Sequence, residues 1–473
     1  MRRGLLLACS SVVLGAAVAC ATSEDGAPAQ PRNDEIELPD GAVNDDASPA
    51  DDGAVPRVRS CSDAGWCTTS LPGHDLTLTD IWPFESRAFA IAESPTHGVK
   101  ILEWDDAAQT WSYIDDNSQN EYGMGKYAGK IWAPSENEVY YGIAPGYIYH
   151  GTRAATSSPW SWQRSRLEDN SPDTNPEHDH GLPRYASIQT GAVPADYPAL
   201  GVWGTSADDV YAWYANTIFH RKTEDGGKAV WHVDHIVDDA DNPADTFFIF
   251  SAAGSSRDDV WFAVGRGRYD ATGLFACPML IQKTIGGYRP IVDSNIDETD
   301  EYLHYIDTCQ EKAGALSFET GFPGNFSWPW TNGGWLTNLE SAGPDAVVGI
   351  LGGDSLAYVS SEDGGVARRN EVRVSVPRDS MPSLLSSVWM HGTDAWLSGW
   401  GIVLRTQNDP GKWSLGFGLT MPGENTMDGG TFSVSTTVLD GAPLDAPLYR
   451  VRGTSNTNLW AVGARYALHK TTP

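Results

Sequence analysis

Basic residues are scarce in this chain: 32 Lys and Arg stand against 62 Asp and Glu in 473 residues, a formal net charge of -30. The long-range field of such a chain repels phosphate backbones and anionic headgroups, so nucleic acid is excluded as an expected partner, and solubility is the plain use of the acidity. Cysteine is also sparse, with six residues and no CxxC spacing of a structural zinc site. Beyond the first twenty residues no apolar run is long enough to span a bilayer. A Gly-rich phosphate loop, a nucleophile elbow and a metalloprotease helix motif are all missing. What remains open is an exported or surface protein whose chemistry, if it has any, is not carried by a short motif.

The first residues read as an address. Arg2 and Arg3 precede an apolar run from Leu5 to Ala19, and Cys20 follows. The segment Ala17-Val18-Ala19-Cys20 resembles a bacterial lipobox, which implies cleavage before Cys20, lipidation of that cysteine, and anchoring at the cell envelope, with the outer membrane as the expected site. Ala17-Val18-Ala19 also fits ordinary signal cleavage, so the alternative is a soluble secreted protein. Residues 21–60 hold ten Asp or Glu and three Arg with almost no large apolar side chains. They cannot bury enough surface to order, and read as an acidic tether reaching about 35 Å as a flexible coil.

Four cysteines remain beyond the tether. An even number in an exported chain points to disulfides, and of the three possible pairings Cys61 with Cys67 and Cys277 with Cys309 close the shorter loops.

From residue 61 onward the chain repeats itself. The clearest copies are Val202-Trp203-Gly204-Thr205-Ser206-Ala207-Asp208-Asp209-Val210-Tyr211, Ala252 to Trp261, and Val451 to Trp460; weaker ones begin at Ile81, Ile131, Leu339 and Val388. Each reads as strand, polar turn, strand. A third strand follows, as in Thr217-Ile218-Phe219-His220, and a fourth is opened by Trp111, Trp162, Trp231, Tyr288 or Trp413 in most copies. Seven four-stranded units predict an all-β, seven-bladed β-propeller. The last copy stops short of a fourth strand, whereas Trp66-Cys67 precedes the first copy. The N-terminal strand is therefore expected to complete blade seven and close the ring, which removes exposed sheet edges. With anchors at Trp82, Trp132, Trp203, Ala253, Glu340, Trp389 and Arg452, the spacings are 50, 71, 50, 87, 49 and 63 residues. The excess places loop insertions near residues 167–199 and 292–335.

These repeats, following the short start Cys61-Ser62-Asp63-Ala64-Gly65-Trp66-Cys67, resemble a family of bacterial surface lipoproteins with seven-bladed propellers. Thr223-Glu224-Asp225-Gly226-Gly227-Lys228 before Trp231 is similar to the Asp-box turn of sialidase-type propellers, and Ser361-Glu362-Asp363-Gly364-Gly365 is a degenerate second copy. In those families the turn is structural, so the resemblance implies fold rather than chemistry.

His150, His220 and His469 share one position in the third strand with Trp104, Gln282, Val359 and Arg405, which implies packing or hydrogen bonding rather than catalysis. The longer insertion carries Phe326, Trp328, Trp330 and Trp335 off the repeat pattern; flat aromatic faces suit a glycan or an apolar peptide side chain, and the plainer alternative is that they bury themselves over the propeller. His178 and His180, one residue apart, would share a transition metal if extended, against the alternative of a solvated acidic loop. Asp293, Asn295 and Asp297 supply oxygens at alternate positions as calcium requires, although Glu298 replaces the turn glycine of an EF-hand. The leading expectation is an envelope-anchored binding or scaffold propeller recognising a glycan or protein through its loops. The alternative is a carbohydrate-active hydrolase or lyase whose paired carboxyls face one another at the axis.

Overall fold

The repeat unit folds as its residue pattern dictates, with hydrophobicity graded outward across each sheet. In the third unit the second strand, Asp209–Tyr214, is buried at every position, because neighbouring sheets cover both its faces. A fourth strand such as Ser161–Arg166 is largely exposed. This is why the middle strands read as continuous apolar runs and the outer ones as polar segments with single aromatics.

The computed structural model describes residues 60–472 apart from 124–126, 169, 171–187, 190–195, 198, 225–226, 228, 271–272, 297–308, 319–334, 354, 363–366, 375–384, 408, 413–432, 436–438 and 440–443. Seven four-stranded sheets are present, each antiparallel and in sequence order from first to fourth strand. Their first strands are Thr77–Pro83, Ala128–Ser135, Leu200–Ser206, Thr246–Ser256, Leu336–Gly343, Leu385–His391 and Leu448–Ser455, for blades one to seven. Each first strand touches those of the two adjacent blades, and the seventh touches the first, so the first strands line a closed axis.

Closure follows the expected route. Trp66–Thr68 pairs antiparallel with Tyr466–Lys470, with Trp66 opposite Lys470 and Thr68 opposite Leu468. The seam with blade one is filled by Trp104, Trp111 and Trp460, whose ring centroids lie 5.2 to 5.6 Å apart. Both expected disulfides are formed, Cys61 with Cys67 and Cys277 with Cys309. Among the described residues no helix is long and apolar enough to cross a membrane.

Two sequence expectations need correction. The fourth strand of blade six is Ser433–Ser435, pairing with Val403–Thr406, and not a strand opened at Trp413, which lies outside the described residues. A long connection at residues 407–432 separates the third and fourth strands there. The third-strand position shared by the histidines is held by Glu103 in blade one and Tyr358 in blade five, not by Trp104 and Val359: Phe89 pairs with Glu103 and Val348 with Tyr358. A slip of one residue moves a side chain to the other face of its sheet.

The glycine after the anchor has a single repeated cause. The turn carries a bulge at Gly204/Ser206, Gly254/Ser256 and Gly453/Ser455. A Cβ on these glycines would press on the carbonyl oxygen of Asp209, Asp259 or Asn458.

Candidate functional site

The turn acids, the most visible polar feature of the repeat, are structural acceptors. Asp209 accepts from Tyr211 Oη at 3.1 Å, from Thr205 Oγ1 at 2.5 Å, and lies 3.1 Å from His220 Nε2, while His220 stacks on Tyr211 at 4.4 Å. Burial works against this carboxylate, but the bonds from His220, Thr205 and Tyr211 outweigh it and hold its pKa at about 2. Glu138, Tyr140 and His150 repeat the arrangement in blade two, Asp259, Trp261 and Gln282 in blade four, and Asn458 with His469 in blade seven. The three histidines thus brace blades, as their shared position implied.

A second polar repeat lies on the first strands. In four blades the side chain two residues before the anchor accepts the backbone N–H one residue before the anchor of the next blade. Asp80 accepts from Ile131, Ser251 from Leu339, Asn338 from Val388 and Ser387 from Val451, at 2.7 to 3.1 Å. These bonds tie blade to blade around the axis where no sheet ladder runs. Ser387→Ala should cost about 1–3 kcal/mol, because a buried N–H of Val451 loses its acceptor, whereas exposed Ser165→Ala should change stability by less than about 0.5 kcal/mol; urea midpoints decide this.

Blades two, three and seven break the belt, having Lys130, Gly201 and Arg450 at the same position. Their departure creates a charged cluster at the axis. Arg450 lies 3.2 Å from Asp80 through Nε and donates to Glu340 Oε1 at 2.8 Å; Arg452 also donates to Glu340 and stacks over Trp82 at 4.3 Å. Glu340 belongs to blade five and the arginines to blade seven, so these pairs reach across the axial space in front of blade six. Of the two carboxylates, Glu340 accepts from both arginines, whereas Asp80 meets only the Nε of Arg450.

Half-buried Lys130 sits in the same field. Burial pulls its pKa from 10.5 down to about 8, with Arg450 and Arg452 adding to the fall and Asp80 opposing it. Between about pH 8 and 10.5 the unfolded chain holds a proton that the folded chain has released, so folding stability rises with pH across that window; below it the penalty is present in full. Lys130→Met should therefore be more stable than the wild type at pH 7, by up to about 3 kcal/mol, and the difference should close as the pH is raised from 8 to 10.5. Denaturant midpoints over that range are the measurement.

Strand order fixes where the insertions leave the ring. Residues 167–199 and 293–335 both connect the fourth strand of one blade to the first strand of the next, so both open on the same face. The long hairpin of blade four, Asp259–Asp270 with Gly273–Thr284, extends on that face too, since it joins second to third strand. Residues 407–432 join third to fourth strand and open on the opposite face, with the short turns. A shallow cleft of about 290 Å³ lies on that turn face, where Arg221, Arg257 and Lys283 alternate with Asp208 and Asp258.

An ion-pair knot roots the insertion face. Buried Arg266 donates to Asp239 at 2.6 Å, Asp245 at 2.7 Å and Asp293 at 2.8 Å; Arg268 binds Asp245, and Lys312 reaches Asp239 at 2.7 Å. Burial opposes ionisation of Asp239, yet Lys312 and Arg266 hold its pKa well below the usual range. The Cys277–Cys309 bridge ties the hairpin to the small sheet formed by Ser294–Ile296 and Cys309–Glu311.

Several sequence candidates fall on this face. The Asp293 carboxylate is taken by Arg266 and lies 3.5 Å from Lys312. Asn295 stands two residues on, its Oδ1 3.4 Å from Asn242 Nδ2. Trp335 is 4% exposed, packs on Phe250 at 5.4 Å and donates toward the Arg266 carbonyl, so its ring is interior at the start of blade five. Cys20, His178, His180, Asp297, Phe326, Trp328 and Trp330 lie outside the described residues. Among the described residues no three His, Cys, Asp or Glu side chains gather as a metal site.

No protein-family model matches the chain, and no curated protein matches it. Among solved structures it is similar to YCF48 bound to a D1 peptide, at 12% identity and a TM-score of 0.48, covering 88% of this chain and 98% of that one. It is also similar to YCF48 from Cyanidioschyzon merolae, at 14% identity and a TM-score of 0.46, covering 86% and 99%. Likeness this distant does not bear on what the present chain binds.

Proposed function

We propose that the protein is an exported binding propeller, anchored to the cell envelope through a lipid on Cys20, that takes a glycan or protein ligand on the face from which its insertions leave. One observation carries this reading: the two long fourth-to-first connections and the extended hairpin of blade four all open on one face, where a buried ion-pair knot and a disulfide stiffen the base of the hairpin and of the 293–335 connection. Rigid scaffold elements that position variable loops are where recognition concentrates. The acidic tether then serves as a spacer between lipid and ring. Membrane attachment is tested by metabolic labelling with a fatty-acid probe, which should mark the wild type and not Cys20→Ser. Labelling of neither would leave the binding ring secreted and remove the anchor. A glycan and peptide screen on the full chain supplies the ligand. Shortening 171–187 or 319–334 should then cost at least tenfold in affinity, and shortening 413–432, on the opposite face, should cost little. Equal loss from all three would reject the assignment of the face.

A further inference from the structure

The three blades that break the axial belt do more than lose a hydrogen bond. Arg450, Lys130 and Gly201 offer no acceptor, so the N–H groups of Ile81, Val202 and Ala252 receive no side chain of the kind that Ile131, Leu339, Val388 and Val451 receive. Further donors face the same region. Lys130 takes no ion pair or hydrogen bond among the described residues, although Asp80, Arg450 and Arg452 all lie within its electrostatic reach. The buried Nε of Arg450 and the Oδ1 of Asp80 stand 3.2 Å apart but misaligned, and neither is hydrogen-bonded. The indole Nε1 of Trp213, whose ring occupies the space a Cβ on Gly201 would need, is buried without an acceptor. Buried donors without an acceptor are costly, and the Nε of Arg450, the indole of Trp213 and the ammonium of Lys130, none hydrogen-bonded among the described residues, favour an acceptor from outside the chain.

The charges set what that acceptor is. Lys130, Arg450 and Arg452 oppose Asp80 and Glu340, leaving one positive charge in excess at the centre of a strongly acidic protein. We propose that the axis binds one small carboxylate, seated against Lys130 and the belt gaps of blades two and three. A carboxylate carries two acceptor oxygens and a single charge, which matches several donors and one uncompensated cation. A dianion would leave the cluster with a net negative charge. This site does not depend on the insertion-face reading, because every residue in it lies on a first strand or packs against one.

Isothermal titration of the full chain at pH 7 with glucuronate, acetate, glucose and sulfate tests the proposal. Glucuronate and acetate should bind, glucose should give no heat, and sulfate should bind more weakly than glucuronate. Lys130→Met should weaken glucuronate at least tenfold while Lys130→Arg stays within a few-fold of wild type. Since Lys130→Met is expected to be the more stable protein, its loss of binding will not come from unfolding, and near-ultraviolet circular dichroism verifies that. Wild-type affinity should fall as the pH is raised past about 8, where Lys130 gives up its proton. The proposal is overturned if neither carboxylate binds, if glucose binds as well as glucuronate, if sulfate binds more tightly, or if Lys130→Met leaves the affinity unchanged.

Discussion

Trp66→Ala should destabilise the ring by about 3–5 kcal/mol, the range for removing a large buried aromatic. Trp66 is 0% exposed although it lies only a few residues beyond the acidic tether. Its ring meets Trp396 of blade six edge-on at 6.2 Å, its Nε1 donates to Ser435 Oγ at 2.9 Å, and its strand pairs with the last strand of the chain. One side chain therefore joins the two ends of the sequence to the neighbouring blade. Deleting residues 60–69 should do more than open a cavity. It would expose Tyr466–Lys470 as an unpaired edge, and such edges template pairing with another chain. Denaturant titration should show the loss for Trp66→Ala, and size-exclusion chromatography should show dimers or larger species for the deletion but not for the point variant. A deletion variant that stays monomeric with wild-type stability would mean that the N-terminal strand is not part of blade seven.

Glu340→Ala should cost a similar amount, about 3–5 kcal/mol, for a different reason. It removes the carboxylate that Arg450 and Arg452 share and leaves two guanidinium groups, with side chains only 5% and 9% exposed, facing each other with Asp80 as the remaining counter-charge. Arg450 already feels burial first and then Arg452 as forces lowering its pKa. Removing one partner of a buried pair is expensive because the charge left behind cannot be rehydrated. The exposed Asp241→Ala should shift stability by less than about 0.5 kcal/mol, and comparison of the two by urea unfolding separates axial charge from surface charge.

Fold and site were legible to different degrees, for physical reasons. The blades could be read because in blades three, four and seven the hairpin turn imposes the same demands, a glycine where a carbonyl presses and an Asp or Asn to accept from the second and third strands, and the weaker copies follow at matching spacing. Closure could be read because Trp66-Cys67 is an apolar strand with no sheet of its own before the first repeat. The fourth strand of blade six could not, since Ser433–Ser435 is three residues long, has no aromatic, and arrives after a long connection. The register at Glu103 and Tyr358 was hidden because blades one and five open the second strand with Arg87 and Ala346, where the other five have an acidic residue or Asn to fix the alignment.

The axial cluster left the weakest trace. Asp80, Lys130, Glu340, Arg450 and Arg452 are scattered over more than three hundred residues and form no motif. Only their shared offset from the anchors relates Asp80, Lys130 and Arg450, and that signal becomes visible once the repeats are aligned on the first strand rather than on the turn. Trp335 shows the converse. Its aromatic ring stood out from the repeat pattern and so suggested a binding surface, yet it is interior because Gly265 and Phe250 leave room for it beside blade four.

Recognition of ligand on the insertion face of the closed seven-bladed ring is open to a direct test by hydrogen–deuterium exchange of the full chain, with and without the tightest ligand from the glycan and peptide screen. Protection should appear in the peptides covering 167–199, 237–246, the 265–278 hairpin and 293–335, while those covering the turns at 205–208, 256–258 and 455–457 stay unchanged. Protection confined to the turn face, or to residues 407–432, would contradict it.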